Sequence, residues 1–207
     1  MKPIFSTAYF PPIDYMAAML QYSEVLVEVQ ETYPKQTYRN RTQIMTASGV
    51  RSLIVPVSRP RGNHTITADI EIVYRERWNI VHLRTLRAAY SASPYFIHYY
   101  NELEALLLSE YRYLVDLNKA LVLWTLRCLK STCRVEFTAS YTPESMCLAD
   151  YRTCFSPKKP AYSSPMPAYY QVFADRLPFA PNLSILDLLM NLGPASLRYL
   201  RGLALPR

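Results

Sequence analysis

The chain has 207 residues and a formal net charge of +7 at pH 7, and half of its residues are hydrophobic. That share can bury a sizeable core and, together with 18 tyrosines, argues against intrinsic disorder. With only four glycines, a glycine-rich phosphate-binding loop could hardly be built. The positive charge permits an anionic partner such as a phosphate, nucleic acid or membrane surface, but a basic surface without a partner fits equally well.

The first third of the chain is predicted to be rich in β-structure. A short helix is expected over residues 15–22, and residues 47–49 are expected to form a turn. Residues 24–30 (EVLVEVQ) alternate apolar and polar side chains, which is typical of a strand. Pro56 suggests an edge strand or a bulge, because proline cannot donate to a ladder. The predicted strands of this part cover residues 4–10, 24–30, 51–57 and 65–73.

The middle of the chain is predicted to be helical and the tail mixed. Residues 134–140 should form a strand, and the proline- and serine-rich residues 156–167 an extended loop that is the best candidate for a partner-contacting segment. Asn182 or Ser184 is a suitable N-cap for the last helix, and Gly193 and Pro194 should end it. The predicted helices cover residues 78–90, 95–108, 111–129 and 185–192.

This order of elements predicts an α/β or α+β fold. Residues 1–207 are expected to form a single domain with a β-rich N-terminal third and a helical middle. No internal repeat is visible in the sequence.

The cysteines and the N-terminus bear on location and metals. Cys128, Cys133, Cys147 and Cys154 form no C-x-x-C pair and have no histidine near them, so a zinc site is poorly supported and no metal or cofactor is expected. The first twelve residues lack the apolar stretch of a signal peptide. No apolar run approaches the ~18 residues that span a bilayer. We therefore expect a cytoplasmic protein with reduced thiols and no membrane span.

The run KQTYRNR concentrates planar hydrogen-bonding groups directly after a predicted strand. Arginine grips phosphate or carboxylate with a planar fork, and Arg39 and Arg41 would share one face of an extended segment. Lys35 would add a point charge, and Asn40 could read a sugar or base edge. The run predicts a site for an anionic, hydroxyl-bearing small molecule such as a nucleotide-sugar. The alternative is a solvated hairpin with ordinary surface charges.

His82 is the candidate acid–base residue. It follows Trp78 by one helical turn, and Tyr90, two turns further along the same predicted helix, is expected to contact the substrate beside it. An imidazole with a pKa of about 6.5 is well suited to proton transfer near neutrality. The alternative is a histidine that packs against an aromatic ring and is satisfied by a backbone carbonyl.

Asp150 and Arg152 form a D-x-R pair that could clamp a substrate or simply pair with each other. Asp187, on an otherwise apolar helix, is expected to face either solvent or a buried arginine. The sequence contains no G-x-S-x-G and no H-E-x-x-H, so a metal-dependent hydrolase is disfavoured, as is a Rossmann oxidoreductase.

Several segments, taken in their order and spacing, resemble the WbqC-like protein family, and the likeness covers nearly the whole chain. The segments are AYFPPIDYM, KQTYRNR, the strand ending in Val55-Pro56-Val57, the pair Trp78 and His82, AAYSASPYF and PNLSILDLLMNLGP. Many members open with a pattern like H-Q-P-N-Y-L-P-W. Here the matching residues are FSTAYFPP, which keep Tyr9 and Pro11 but place Phe5 where the histidine would stand.

The resemblance implies a bacterial protein of O-antigen or other surface-polysaccharide biosynthesis, built as a single WbqC-like domain. It favours a transferase-like enzyme that acts on a nucleotide-linked or carrier-linked sugar or acyl intermediate. The alternative is a non-catalytic scaffold that binds other enzymes of such a pathway. Nucleic acid is an unlikely partner, because no recognised binding motif interleaves the tyrosines with the basic residues.

Overall fold

A small parallel sheet joins the beginning of the chain to its later part. The computed structural model describes residues 1–162 and 165–205. In it, β2 (Glu24–Glu28) lies between β1 (Ile4–Ser6) and β7 (Arg134–Phe137), and both neighbours run parallel to it. All three strands therefore end at the same edge of the sheet.

Residues 148–151 extend this sheet on the far side of β1. Asp150 forms a parallel bridge with Ile4, the amide of Ile4 donates to the carbonyl of Ala149, and the amide of Tyr151 donates to the carbonyl of Ile4. The chain thus crosses from β7, on one side of the sheet, to a position beyond β1 on the other side.

Two antiparallel hairpins follow β2. The first pairs β3 (Arg41–Thr46) with β4 (Gly49–Ile54), and Gly49 adopts the left-handed φ of 99° that its tight turn requires. The second pairs β5 (Val57–Ser58) with β6 (Glu71–Ile72). The strand predicted over residues 51–57 is therefore interrupted, because Pro56 lies between β4 and β5.

The helices lie mainly in the middle and at the end of the chain. Ser184 caps α5, since its Oγ accepts from the amide of Leu186 at 3.2 Å. The helices are α1 (Ile13–Met19), α2 (Trp78–Tyr90), α3 (Phe96–Leu108), α4 (Leu114–Cys128), α5 (Ile185–Leu192) and α6 (Ser196–Arg201). Short 3-10 turns occur at Gly62–His64, Thr67–Asp69, Glu144–Met146 and Gly193–Ala195.

The core is rich in large aromatic and aliphatic side chains. Every residue of α1 is buried, as are the first seven of α5, so both helices lie inside the molecule. Burying each large apolar side chain contributes about 1.5–3 kcal/mol, which accounts for the placement of these two apolar segments. Fully buried large side chains include Phe5, Tyr9, Tyr15, Tyr90 and Trp124.

The mixed α/β fold class predicted from the sequence is confirmed, although several strands differ from the prediction, most clearly at residues 65–73. Residues 65–73 form a 3-10 turn and only two residues of strand. The reason is that the amides of Thr67 and Ala68 donate to the carbonyls of Glu31 and Val29. These amides hydrogen-bond to the loop after β2 and are not available to pair with a neighbouring strand. That residues 1–207 form a single WbqC-like domain stays a prediction.

Three observations concern the remaining expectations from composition. The cysteines are free thiols. Within residues 1–162 and 165–205, no helix combines the length and the apolar character needed to cross a membrane, and no three acidic, histidine or cysteine side chains are grouped to hold a metal ion. Two residues of the predicted loop at 156–167, Ser163 and Ser164, lie outside the described residues.

Candidate functional site

A cleft of about 690 Å³ opens at the edge where the parallel strands end, and we call it the sheet-end cleft. Its lining comes from the segments that follow β2 and β7 and from the end of the segment beside β1. Ligands of open parallel sheets bind outside the carboxyl ends of the strands, so this cleft is the natural place for a site. It is lined by Gln30, Glu31, Thr32, Tyr141, Glu144, Asp150, Arg152 and Thr153.

Glu28, the last residue of β2, forms the buried floor behind the cleft. Its Oε1 accepts from Thr138 Oγ1 at 2.6 Å and from the amide of Gln30 at 2.8 Å, and its Oε2 accepts from the amide of Thr142 at 2.9 Å. Nη1 of Arg152 lies 3.6 Å from Oε2. The side chain of Glu28 has no exposed surface, but these hydrogen bonds and the nearby guanidinium compensate for the burial of its charge. The same hydrogen bonds tie the end of β2 to the segment after β7.

Arg152 and Asp150 pair with each other, which is one of the two alternatives that the D-x-R pattern left open. Nε of Arg152 lies 3.0 Å from both carboxylate oxygens of Asp150, and Nη2 also donates to that carboxylate. Nη1 donates to the carbonyl of Thr142 at 2.9 Å, and the guanidinium stacks 5.2 Å from the ring centre of Tyr141. Burial acts to raise the pKa of Asp150, but the hydrogen bonds from Arg152 prevail and lower it. The paired side chains of Asp150 and Arg152 thus form part of the wall of the cleft.

Glu31 is the carboxylate of the cleft that is best placed for chemistry. Its Oε1 accepts from Nε of Arg39 at 2.9 Å and from Nη2 at 2.5 Å, while no hydrogen bond to Oε2 occurs within the described part of the chain. Burial raises the pKa of Glu31, and the charge of Arg39 opposes the rise. A carboxyl in a cleft with one anchored oxygen and a raised pKa is suited to accept or donate a proton.

The electrostatics of the cleft differ from those expected of a phosphate site. Each guanidinium of the cleft already serves a carboxylate, and carboxylates predominate in the lining and directly behind it. The arrangement suits a ligand that donates hydrogen bonds, such as a hydroxylated ring or an amine. The carboxylates are Glu28, Glu31, Glu144 and Asp150, and the guanidiniums are Arg39 and Arg152.

The basic run KQTYRNR divides between the core and the surface. Arg39 is buried and forms an ion pair with Glu31, and its backbone carbonyl accepts a hydrogen bond from Nδ2 of Asn118 at 2.8 Å. Asn40 is also buried, and its Nδ2 donates to the carbonyl of Val55 at 3.0 Å. Lys35 is exposed. These contacts give Arg39 and Asn40 structural partners, and their predicted role in binding a ligand stays untested.

The charges of Arg41 and Arg59 act on Tyr33, which lies two residues after Glu31 in the same loop, and we call these three residues the arginine patch. Burial raises the pKa of Tyr33 to about 12, and the nearby charges of Arg39, Arg41 and Arg59 oppose that rise. Arg59 donates to Asn63 Oδ1 at 3.1 Å, whereas the buried Nε of Arg41 has no hydrogen-bond partner among the described residues. Arg41 thus retains a hydrogen-bond donor without a partner among the described residues.

His82 lies in the core. Its Nδ1 shares a hydrogen bond of 2.9 Å with the hydroxyl of Tyr9, and its ring meets that of Trp78 edge-on at 5.0 Å, as their spacing of one turn predicts. Burial lowers the pKa of His82 to about 4, so the imidazole is neutral at pH 7. The described lining of the sheet-end cleft does not include His82. The position of His82 in the core therefore does not support its predicted catalytic role, which stays a prediction.

Tyr90 also lies away from the cleft, in the core beside α5. Burial and the nearby charge of Asp187 raise the pKa of its hydroxyl. Asp187 is buried from solvent, and it pairs with no arginine within residues 1–162 and 165–205, so neither expected environment is found there. Its Oδ2 accepts from the hydroxyl of Tyr169 at 2.5 Å and from Nε2 of Gln171 at 3.0 Å, and burial raises its pKa. A predicted ligand contact through Tyr90 stays a prediction.

A pH titration of stability can test whether His82 is buried and neutral. Because its folded-state pKa lies below the value of about 6.5 expected in the unfolded chain, its contribution is complete above pH 6.5 and is lost as the pH falls toward 4. We expect a loss of about 3 kcal/mol across that interval, at about 1.4 kcal/mol per pKa unit. The measurement is urea unfolding at several pH values, compared with His82→Gln.

The comparison with His82→Gln isolates this effect from carboxyls that act in the opposite sense. Burial raises the pKa of Asp14, Glu31 and Asp187, so their protonation favours the folded state as the pH falls. Their contribution cancels in the difference between the two proteins. Identical pH profiles for wild type and His82→Gln would show that the imidazole is not held neutral in the core.

The sequence did not identify Glu31 or Glu28 as site residues. Glu31 directly follows the strand predicted at residues 24–30, and Glu28 lies near its end, so acids at the end of a strand are the available signal. The parallel pairing of β2 with β7 brings them to Tyr141, and the return of residues 148–151 beside β1 adds Asp150 and Arg152.

Comparison with protein families gives one match. The model of the WbqC-like protein family matches residues 7–153. That range contains every residue of the sheet-end cleft. Comparisons with curated proteins and with solved structures gave no match.

Proposed function

The chain belongs to the WbqC-like protein family, and from that membership we propose that it is a transferase of bacterial surface-polysaccharide biosynthesis, such as that of O-antigen. Its substrate would be a nucleotide-linked or carrier-linked sugar or acyl intermediate, and it would act in the cytoplasm, where such intermediates are made. The observation that supports the proposal is the half-anchored carboxylate of Glu31 in the sheet-end cleft.

Glu31 would act as the general base of the transfer. It takes a proton from a hydroxyl or amine of the acceptor, whose oxygen or nitrogen then bonds to the activated carbon of the donor. The bond from that carbon to the phosphate or carrier breaks, and its electron pair leaves with that group. Arg39 would hold the carboxylate in place, since it occupies Oε1 with two hydrogen bonds.

The sheet-end cleft would hold the sugar or acyl acceptor rather than the charged half of the donor. Its carboxylates accept hydrogen bonds from hydroxyl groups, and the ring of Tyr141, fixed by the guanidinium of Arg152, offers an aromatic face to a sugar ring. A volume of about 690 Å³ lies in the range of ~300–1,000 Å³ usual for small-molecule sites.

The arginine patch would hold the anionic leaving group. Arg41 and Arg59 are close enough to Tyr33 to affect its pKa, and Tyr33 follows Glu31 by two residues. The exposed Lys35 lies in the same loop and would add a third positive charge. Phosphate oxygens fit the planar fork of arginine, so a diphosphate is the group that we expect here.

The test of the function is a turnover assay. Purified protein is incubated with nucleotide-sugars and acyl-coenzyme A donors, each with mixed sugar acceptors, and products are identified by mass spectrometry. Release of a nucleotide or coenzyme A that depends on an acceptor supports the proposal. If His82→Gln, checked for folding, abolishes release while Glu31→Gln does not, the acid–base role belongs to His82.

Loss of the arginine patch should weaken donor binding. We expect Arg41→Gln combined with Arg59→Gln to lower the affinity for a nucleotide-sugar by at least tenfold, because charge-assisted hydrogen bonds contribute about 1.5–3 kcal/mol each. The measurement is isothermal titration calorimetry. Arg84→Gln, an exposed arginine of α2, is the control. Equal affinity in wild type and the double variant would place the anion elsewhere.

The second candidate function is a non-catalytic scaffold for other enzymes of the pathway. It is favoured by Phe5, which stands where the family pattern has histidine and is stacked 4.7 Å from Tyr151 in the core. It is also favoured by the burial of His82. A scaffold would retain its partner enzymes in a pull-down with Glu31→Gln and would release no product in the turnover assay.

A further inference from the structure

A second cleft, of about 590 Å³, lies near the sheet-end cleft, and we call it the tyrosine cleft. Three phenol rings and an arginine stand out in its lining, with leucines from the end of the described chain beside them. These residues are Tyr22, Tyr151, Tyr162, Arg201, Leu203 and Leu205. Four of the six lie beyond residue 153, so outside the range that the family model matches.

A single segment of chain separates the two clefts. Along residues 149–154, Arg152 and Thr153 line the sheet-end cleft, whereas Tyr151 and Cys154 line the tyrosine cleft. Asp150 borders both. Because neighbouring side chains point to different cavities, a ligand in the tyrosine cleft would sit on its own surface and not among the carboxylates of the other cleft.

The phenol rings of the tyrosine cleft are held in place. The hydroxyls of Tyr22 and Tyr151 share a hydrogen bond of 2.9 Å, and the ring of Tyr162 meets that of Tyr151 edge-on at 6.0 Å. The amide of Tyr162 also donates to Asp14 at 2.7 Å. A rigid set of aromatic faces and hydroxyls binds a hydroxylated ring at low entropic cost.

Arg201 supplies a positive charge that no described residue of the cleft neutralises. It lies in the last turn of α6, is exposed, and has no ion pair or hydrogen bond among the described residues. Other exposed arginines do have such partners, for example Arg112 on Glu71 at 3.0 Å. Asp150, the acid of the described lining, is already paired with Arg152. The free guanidinium therefore favours an anionic ligand.

We propose that the tyrosine cleft is a separate binding site for a sugar ring that carries an anionic group. The rings of Tyr151 and Tyr162 contact the sugar, and Arg201 binds its carboxylate or phosphate through a bidentate pair. A uronic acid and a sugar phosphate share this chemistry. The proposal concerns binding alone and does not depend on catalysis by Glu31.

Three small ligands test the proposal directly. Glucuronate, glucose 1-phosphate and neutral glucose are titrated into isotopically labelled protein, and affinities are taken from amide shifts. We expect at least one of the two acidic sugars to bind at least tenfold more tightly than glucose, with shifts around Tyr22, Tyr151 and Arg201. The acidic sugar that binds more tightly identifies the anionic group.

Two arginines of the same helix provide matched variants. Arg201→Gln should lower the affinity for the acidic sugar at least tenfold, whereas Arg198→Gln, exposed and outside the described lining, should leave it unchanged. Glu31→Gln should also leave it unchanged, which separates this site from the proposed transfer reaction. The proposal is overturned if glucose binds as tightly as the acidic sugars, if neither acidic sugar binds, or if Arg201→Gln has no effect.

Discussion

Replacement of Glu31 by glutamine should lower the rate of transfer by about 10²–10⁴-fold, the range usual for loss of a general base. Glutamine keeps the shape of the side chain and can still accept from Arg39, but its amide cannot take a proton from the acceptor. Donor binding at the arginine patch should remain, so the loss should fall on kcat rather than on KM. The measurement is the rate of nucleotide or coenzyme A release with the donor that the turnover assay identifies.

The pH dependence of the rate gives a second readout for Glu31. A general base must be deprotonated, so activity should be present above the pKa of Glu31 and lost below it. Burial places that pKa above the usual range of a glutamate. Glu76→Gln, an exposed acid outside the described cleft, is the control. Full activity in Glu31→Gln would exclude the proposed role.

Replacement of Arg152 by alanine should lower the free energy of unfolding by about 3–5 kcal/mol, the usual effect of removing one partner from a buried ion pair. The change leaves the fully buried Glu28 without its nearest cation and strips Asp150 of its guanidinium hydrogen bonds. It also removes the donor to the carbonyl of Thr142. Urea unfolding at pH 7, followed by circular dichroism, measures the effect.

Two further variants make this expectation specific to the buried pair. Arg134→Ala removes an exposed arginine that pairs with Glu24 and should cost less than about 1 kcal/mol. Combining Arg152→Met with Glu28→Gln should recover part of the lost stability, since the fully buried carboxylate of Glu28 is then replaced by a neutral group. A loss below 1 kcal/mol in Arg152→Ala would mean that the guanidinium contributes little to the wall of the cleft.

Helices with strong end signals could be predicted from the sequence alone. The bounds of α2 and α5 agree with the prediction, because apolar residues recur at helical spacing and Ser184 and Gly193 mark the two ends of α5. The strand at residues 65–73 could not be predicted correctly. Its alternating pattern is real, but the amides of Thr67 and Ala68 are used by the loop after β2, a partner that local pattern does not reveal.

The candidate site was predictable only in part. Asp150 and Arg152 were named from their spacing, and both line the sheet-end cleft. The pattern predicts a ligand-binding role for Arg39, but it does not show that Glu31, eight residues earlier, takes up the guanidinium. Glu31 itself was missed, since the importance of an acid at the end of a strand depends on which strands lie beside it.

The pairing of β2 with β7 also sets the order in which the protein can mature. Thr138 and Glu28, whose hydrogen bond closes the floor of the cleft, are 110 positions apart in the chain. During synthesis, β2 leaves the ribosome long before β7 does, and its unpaired edge must wait for that partner. The nascent chain therefore carries an open strand edge through about half of its translation, and this edge is where chaperone binding or aggregation would begin.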